Sequence, residues 1–198
     1  MRLCSPLGLV LLSGLLACSA EHDELRRTTF ADGTPWSEGL VRAGRPEGRW
    51  RTWYPDGQLA SAFGYAAGVL DGPAQAFWPD GVLRFEGAWH MGRPDGPWQR
   101  TFANGQPLSS GTFRQGQKVG HWSNWYESGQ LQLEADYDGP AGDGYFRRFS
   151  EDGRATSEGT LRGGLRSGIW RQWRADGSLD LEHSGLFVDG HRSAPLAD

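Results

Sequence analysis

The sequence predicts an all-β fold, an elongated antiparallel β-meander with about two strands per 24-residue repeat. Three observations carry that expectation: a unit that recurs every 24 residues, an Asp-Gly or Asn-Gly pair at a fixed place in it, and alternating apolar positions after the pair. A fixed period of roughly 20 to 50 residues marks a quasi-one-dimensional array, in which each unit packs mainly on its neighbours.

The clearest copy runs from Arg49 to Gly72, RWRTWYPDGQLASAFGYAAGVLDG, and its residues serve here as positions 1 to 24 of the unit. Forward, the register gives Pro73 to Gly96, Pro97 to Gly120, His121 to Gly144, Tyr145 to Gly168 and an altered copy from Ile169; backward, it gives a degenerate copy from Leu25 to Gly48. Position 9 is glycine in all seven copies and position 24 in the first six.

Each element follows from residue chemistry. Positions 2 to 6 form a short aromatic run (WRTWY from Trp50, WQRTF from Trp98, WSNWY from Trp122), and aromatics favour strands. Position 8 is Asp or Asn in six copies (Asp32, Asp56, Asp80, Asn104, Asp152, Asp176) and Ser128 in the other, always followed by glycine. Such pairs tolerate the positive φ angles of a type I′ turn and predict a hairpin. The returning segment alternates, as in Leu83, Phe85, Gly87 and Trp89, which puts those side chains on one face. A second turn is expected around position 20, with the unit closing at the glycine of position 24. Sustained helical periodicity is absent, and glycine at this density disfavours helix.

Strands about 4.8 Å apart give a rise of roughly 9.6 Å per unit, and the aromatics at positions 2, 5 and 6 are expected to stack along it. Glycine at position 15 would let a neighbouring indole lie on bare backbone. Some copies depart from the pattern: Ala74 and Thr101 replace aromatics, Gly64 sits one place late, and Ala135 and Pro140 replace glycines. The last unit carries about two extra residues within Leu181 to Gly185, and residues 191–198 are expected to be a frayed tail.

The G-x-W-x-x-W-Y-x-[DNS]-G-x-L core, at Gly48 to Leu59 and Gly120 to Leu131, resembles the bacterial MORN-like repeat of YwqK-family antitoxins. So does the trailing G-x-[YFW]-x-x-G at Gly87 to Gly92 and Gly111 to Gly116. The resemblance covers about residues 25–190 and implies a repeat scaffold, with an antitoxin role attached to the family label; its shared residues are turn and stacking positions and identify no active site.

Residues 1–17 read as a secretory leader, with Arg2 followed by an apolar run from Leu7 to Leu16 that is too short to span a bilayer. Leu15-Leu16-Ala17-Cys18 resembles a lipobox, which makes Cys18 the lipidated mature N-terminus; cleavage after Ala20 is the ordinary-leader alternative. Ser19 after the cysteine favours the outer membrane, and residues 18–24 form a polar tether. Cys4 and Cys18 are the two cysteines, so the repeats contain no thiol for a disulfide or for zinc. The formal charge of −4 becomes −5 when Arg2 leaves with the leader, which argues against nucleic acid as a partner.

The candidate chemistry is sparse. Equivalent aspartates in successive units would lie about 9.6 Å apart, too far to share a calcium ion. His22, His90, His121, His183 and His191 show no ligand spacing, and no G-x-S-x-G occurs, so no catalytic residue, cofactor site or metal site is assigned. Glu134 and Asp136 read as a solvated strand face, and Arg147-Arg148 as a surface cation pair among Tyr145, Phe146 and Phe149. Trp, Tyr and Arg dominate interface hot spots. The expected interaction surface is therefore Trp53, Trp125 and Trp173 with Arg147 and Arg148, on a non-enzymatic envelope lipoprotein that binds another protein. The alternatives are an antitoxin or immunity-like protein and a protein acting on envelope glycan or lipid. The partner's identity and the oligomeric state have no signal in the sequence.

Overall fold

The computed structural model describes residues 23–139 and 142–196. They form one open antiparallel sheet of 16 strands in which sequence neighbours pair in order, apart from the short β7 that pairs only with β6. No α-helix occurs among the described residues. The strands are β1 Glu24–Thr29, β2 Pro35–Arg42, β3 Arg45–Trp53, β4 Leu59–Ala66, β5 Val69–Phe77, β6 Leu83–His90, β7 Arg93–Pro94 and β8 Gly96–Thr101. They continue with β9 Pro107–Arg114, β10 Gln117–Trp125, β11 Leu131–Tyr137, β12 Gly144–Phe149, β13 Ala155–Arg162, β14 Leu165–Gln172, β15 Gly185–Val188 and β16 His191–Ala194. Two strands per unit and a plain meander are as the repeat predicts. The leader, Cys18 and most of the tether lie outside the described residues.

The two turns of the unit are of different kinds, and the type I′ geometry expected at the first is found at the second. At the Asp-Gly turn, the Gly57 N–H donates to the Tyr54 carbonyl and the Tyr54 N–H to the Gln58 carbonyl. Gly57 has φ +85° whereas Asp56 stays at negative φ. This is a type I turn followed by a left-handed glycine, the usual three-residue hairpin loop, rather than type I′. Pro55 suits the first central position of a type I turn. The aspartate is selected for its side chain: Asp56 accepts the Gln58 N–H, and Asp32, Asp80, Asn104, Asp152 and Asp176 repeat the contact two residues on.

The type I′ turn is the second one. Ala43-Gly44, Ala67-Gly68, Met91-Gly92 and Gln115-Gly116 all have both central residues at positive φ. These turns dock on the preceding unit, where the N–H of Ala67, Met91, Gln115 and Gly163 reaches the carboxylate of Glu47, Asp71, Asp95 and Asp143 at 2.8, 3.0, 3.0 and 2.7 Å. Position 23 thus carries the acceptor for the next unit's turn, offsetting the cost of non-glycine residues in a left-handed conformation. In the fourth unit Val119 occupies that position, and the turn facing it is the one that departs from the two-residue form, with Tyr137 paired to Gly144.

Position 24 does not close the unit but lies inside the longer strands. Gly120 (φ +62°) sits in a bulge where β10 has four steps, Val119 to Ser123, against two on β9. His191–Ala194, expected as frayed tail, pairs with β15 as the last strand. The two extra residues of the last unit are visible in the register, since Gly168 pairs with Phe187 whereas Gly120 pairs with Tyr137. The insertion is fastened by Ser184, fully buried, whose Oγ accepts the Gln172 N–H at 2.9 Å.

Candidate functional site: a ring-lined, cationic sheet face

Register and strand alternation sort the side chains onto two faces. Position 2 lies opposite 15, 4 opposite 13, and 17 opposite 22, as in Trp50 and Phe63, Thr52 and Ser61, Val41 and Pro46. Directly opposed residues share a face, and so do residues two apart in one strand.

On this face an indole from one unit covers the backbone of the unit before. A Cβ at Gly39, Gly87, Gly111 or Gly159 would overlap the ring of Trp50, Trp98, Trp122 or Trp170. Each indole N–H donates to the carbonyl that follows the glycine: Trp50 to Leu40 (2.9 Å), Trp98 to Ala88 (3.2 Å), Trp122 to Thr112 (3.0 Å) and Trp170 to Thr160 (2.7 Å). The glycine expected to bare the backbone for an indole does so. Where the indole enters, the ladder opens: Gly111 and Trp122 are not paired, whereas Phe63 with Ala74 and Ala135 with Phe146 are.

The rings run on from unit to unit. Phe85 stacks on Trp98 at 5.5 Å, Trp98 meets Trp89 and Phe113 edge-on at 5.7 Å, and Phe113 meets Trp122 at 4.8 Å. Phe63 contacts Phe85 and Tyr137 contacts Phe146. The stack is therefore built from positions 2, 13, 15 and 17, and not from 5 and 6 as expected. Position 6 works through its polar end instead, with Tyr54 Oη, Trp78 Nε1 and Tyr126 Oη donating to the carbonyls of Phe77, Thr101 and Phe149 in the following unit.

In the first six units, positions 2, 4, 13, 15, 17 and 22 include Arg26, Arg100, Lys118, Arg148 and Arg166 and no carboxylate. The opposite face carries carboxylates at position 14 that engage position 3: Arg27 pairs with Glu38, Arg147 and Arg171 flank Glu158 at 3.5 and 3.1 Å, and the amides of Gln75 and Gln99 both donate to Glu86. On the ring face two of the cations, Lys118 and Arg166, lie on rings. Lys118 Nζ is 4.3 Å from the Trp122 centroid and 5.6 Å from that of Tyr137, and the Arg166 guanidinium is 4.9 Å from Trp170. Burial lowers the Lys118 pKa, and the nearby Arg100 charge lowers it further. A groove of about 420 Å³ opens here, with Phe85, Trp98, Phe113 and Trp122 in its lining beside Arg100 and Lys118.

The residues expected to form an interaction surface are not gathered in one place. Trp53, Trp125 and Trp173 are half-buried in units two, five and seven, which sets them about 29 and 19 Å apart at ~4.8 Å per strand. Arg147 and Arg148 alternate to opposite faces: Arg147 lies over Phe149 (5.1 Å) and beside Glu158, while Arg148 faces Leu133 across the ring face. The sequence shows no basic run; the register assembles one from Arg100, Lys118 and Arg148, which lie 18 and 30 residues apart. That signal was available in the common absence of Asp and Glu from six repeat positions.

Asp180, Glu182 and His183 bring three potential metal ligands within 4.8 Å of one another. Asp180 is already committed there: the hydrogen bond from the His183 ring, with that from the His183 N–H, holds its pKa below the usual carboxylate range, and it also accepts the Glu182 N–H. The cluster is the capped turn of the two-residue insertion.

Fold and surface together define a β-repeat protein, an open meander in which one hairpin is copied in phase and the faces differ in charge. The family model for the MORN repeat variant matches residues 46–65 and 118–138, two places three repeats apart, each spanning one Asp-Gly or Ser-Gly hairpin. No curated protein matches the chain.

Proposed function

We propose that this chain is a non-enzymatic scaffold of the bacterial cell envelope, anchored through a lipidated Cys18, whose sheet docks another protein. The observation that carries this reading is the asymmetry of the sheet: one face mixes cations with carboxylates that pair with several of them, whereas the other keeps rings and cations without carboxylates over six units. Aromatic and arginine side chains on a stiff surface bind partners with little loss of side-chain entropy. An array about 9.6 Å long per unit suits an extended partner better than a small ligand. The leader, the lipobox and Ser19 support an outer-membrane anchor.

The test is capture from envelope membranes with the full-length lipoprotein and a short crosslinker. A specific crosslinked protein that is lost when Trp98 and Arg100 are replaced by alanine supports the reading, and recovery of none, with the protein folded and abundant, overturns it. A Cys18→Ala variant released into the soluble periplasmic fraction is expected; unchanged membrane association would remove the anchor. Capture of a toxin that the array inactivates would turn the scaffold into an immunity protein using the same face.

A further inference from the structure

The groove over units three to five is short of acceptors. Arg100 and Lys118 line it together, no carboxylate shares their face, and neither is in an ion pair among the described residues. The indole N–H of Trp89, in the same lining, is buried without an acceptor. Arg148 adds a third cation one unit further on, opposite Leu133. Two like charges that repel across a partly desolvated aromatic floor are held there by the fold at a cost, and a bound anion would reverse the sign of that interaction.

We propose that this groove is the docking site for a short acidic segment of the partner protein, which sets an apolar side chain over the rings of Trp98, Phe113 and Trp122 and carboxylates against Arg100 and Lys118. The proposal rests on the protein-docking reading above and specifies its chemistry. Charge complementarity selects the occupant. The chain as a whole is acidic, with a formal charge of −4, so a polyanion such as nucleic acid or a strongly anionic membrane is repelled at long range. A segment carrying a few carboxylates is instead drawn to a place where two cations stand together, unneutralised, over an aromatic floor. The groove's volume, about 420 Å³, accommodates one large side chain with its backbone, and its open, ring-lined form suits an aromatic or branched residue. Lysine and arginine make charge-assisted hydrogen bonds to carboxylates, and the adjacent indoles keep those contacts partly shielded from water.

The experiment uses a fluorescein-labelled Glu-Glu-Phe-Glu-Glu peptide and fluorescence polarisation with the intact protein at low salt. Binding at least tenfold tighter than that of the Gln-Gln-Phe-Gln-Gln peptide is expected, weakening as salt is raised. An Arg100→Gln, Lys118→Gln double variant should lose at least tenfold in affinity, while Arg51→Gln, on the opposite face, should change it by less than twofold. Circular dichroism of each variant confirms that the fold is retained. Equal binding of the two peptides, indifference to the double variant, or tighter association with phosphatidylglycerol vesicles than with the acidic peptide would each overturn the proposal. If the crosslinked envelope partner is still captured by the double variant, the groove assignment fails while the scaffold reading stands; if no partner exists, the scaffold reading fails whatever the peptide does.

Discussion

The junction between units four and five and the junction between units two and three fill the same slot in different ways. At the first, Gly111 is bare and Trp122 lies across it, bonding to the Thr112 carbonyl. At the second, Phe63 stands where the glycine was and Ala74 where the indole was, and the two are ladder partners. A third version, Ala135 with Phe146, uses the same two residue types with the strands exchanged. The repeat thus preserves the sum of two side chains across a junction and leaves open which strand supplies it. Ala74, which reads as a lost aromatic, is small because Phe63 is large. Gly64 is glycine because a Cβ there would overlap the Asp71 carbonyl once the indole no longer holds the strands apart.

The largest expected effect comes from emptying the Trp122 slot. Trp122→Ala removes a side chain that is 4% exposed, a ring contact and a hydrogen bond, and should cost about 3–5 kcal/mol in urea unfolding followed by tryptophan fluorescence. Adding Gly111→Phe in that background copies the Phe63 and Ala74 junction and should recover a kcal/mol or two, roughly the coupling expected between residues in contact. A double variant no more stable than Trp122→Ala alone would show that the slot does not conserve volume.

Overpacking the same junction should cost less. Gly111→Ala drives a methyl into the indole and is expected to destabilise by about 1–3 kcal/mol. Combining it with Trp122→Phe reproduces the Ala135 and Phe146 junction and should be less harmful than the sum of the single changes, as read from a double-mutant cycle.

The turns sharpen the comparison at smaller magnitude. Asp95→Ala takes the acceptor from the Gln115 N–H, and about 1 kcal/mol should be lost, with faster amide exchange at Gln115. At Val119, where the chain lacks that acceptor, mutation to alanine should leave the exchange of the following turn unchanged.

What the sequence could and could not reveal follows from the kind of information involved. The period, the strand count and both turn positions are local properties, carried by glycine and by Asp or Asn at fixed spacing, and they were legible. Turn type is ambiguous locally because Asp-Gly suits both loops, and Pro55 and Pro79 are the residues that favour type I. The stacking positions were misassigned because they depend on which strand lies opposite, a register set by the two-step bulge at Gly120 that no single unit displays. The ring face was missed for the same reason: its cations come from positions 4 and 22, far apart within a unit and adjacent only after folding. Trp53, Trp125 and Trp173 repeat in sequence as an interaction surface would, yet repetition also serves packing.

The smallest effect concerns Lys118, the chain's one lysine, at the position where the other units put proline, leucine, glycine or arginine. Its pKa is lowered because the charged form is partly desolvated and faces Arg100. Because the folded protein holds this proton less tightly than the unfolded chain, Lys118 weakens the fold wherever it is charged. The loss is present at neutral pH and is relieved as pH rises through the folded pKa towards the ordinary lysine value of about 10.4. Lys118→Met, which keeps the length and the ring contact without the charge, is therefore expected to raise stability at pH 7 by less than ~1 kcal/mol. The gain over wild type should shrink in urea titrations as pH rises towards the ordinary lysine value. A variant less stable than wild type at pH 7 would mean that the contact with Trp122 and Tyr137 outweighs desolvation, and the lysine would then belong to the packing of this face rather than to its binding surface.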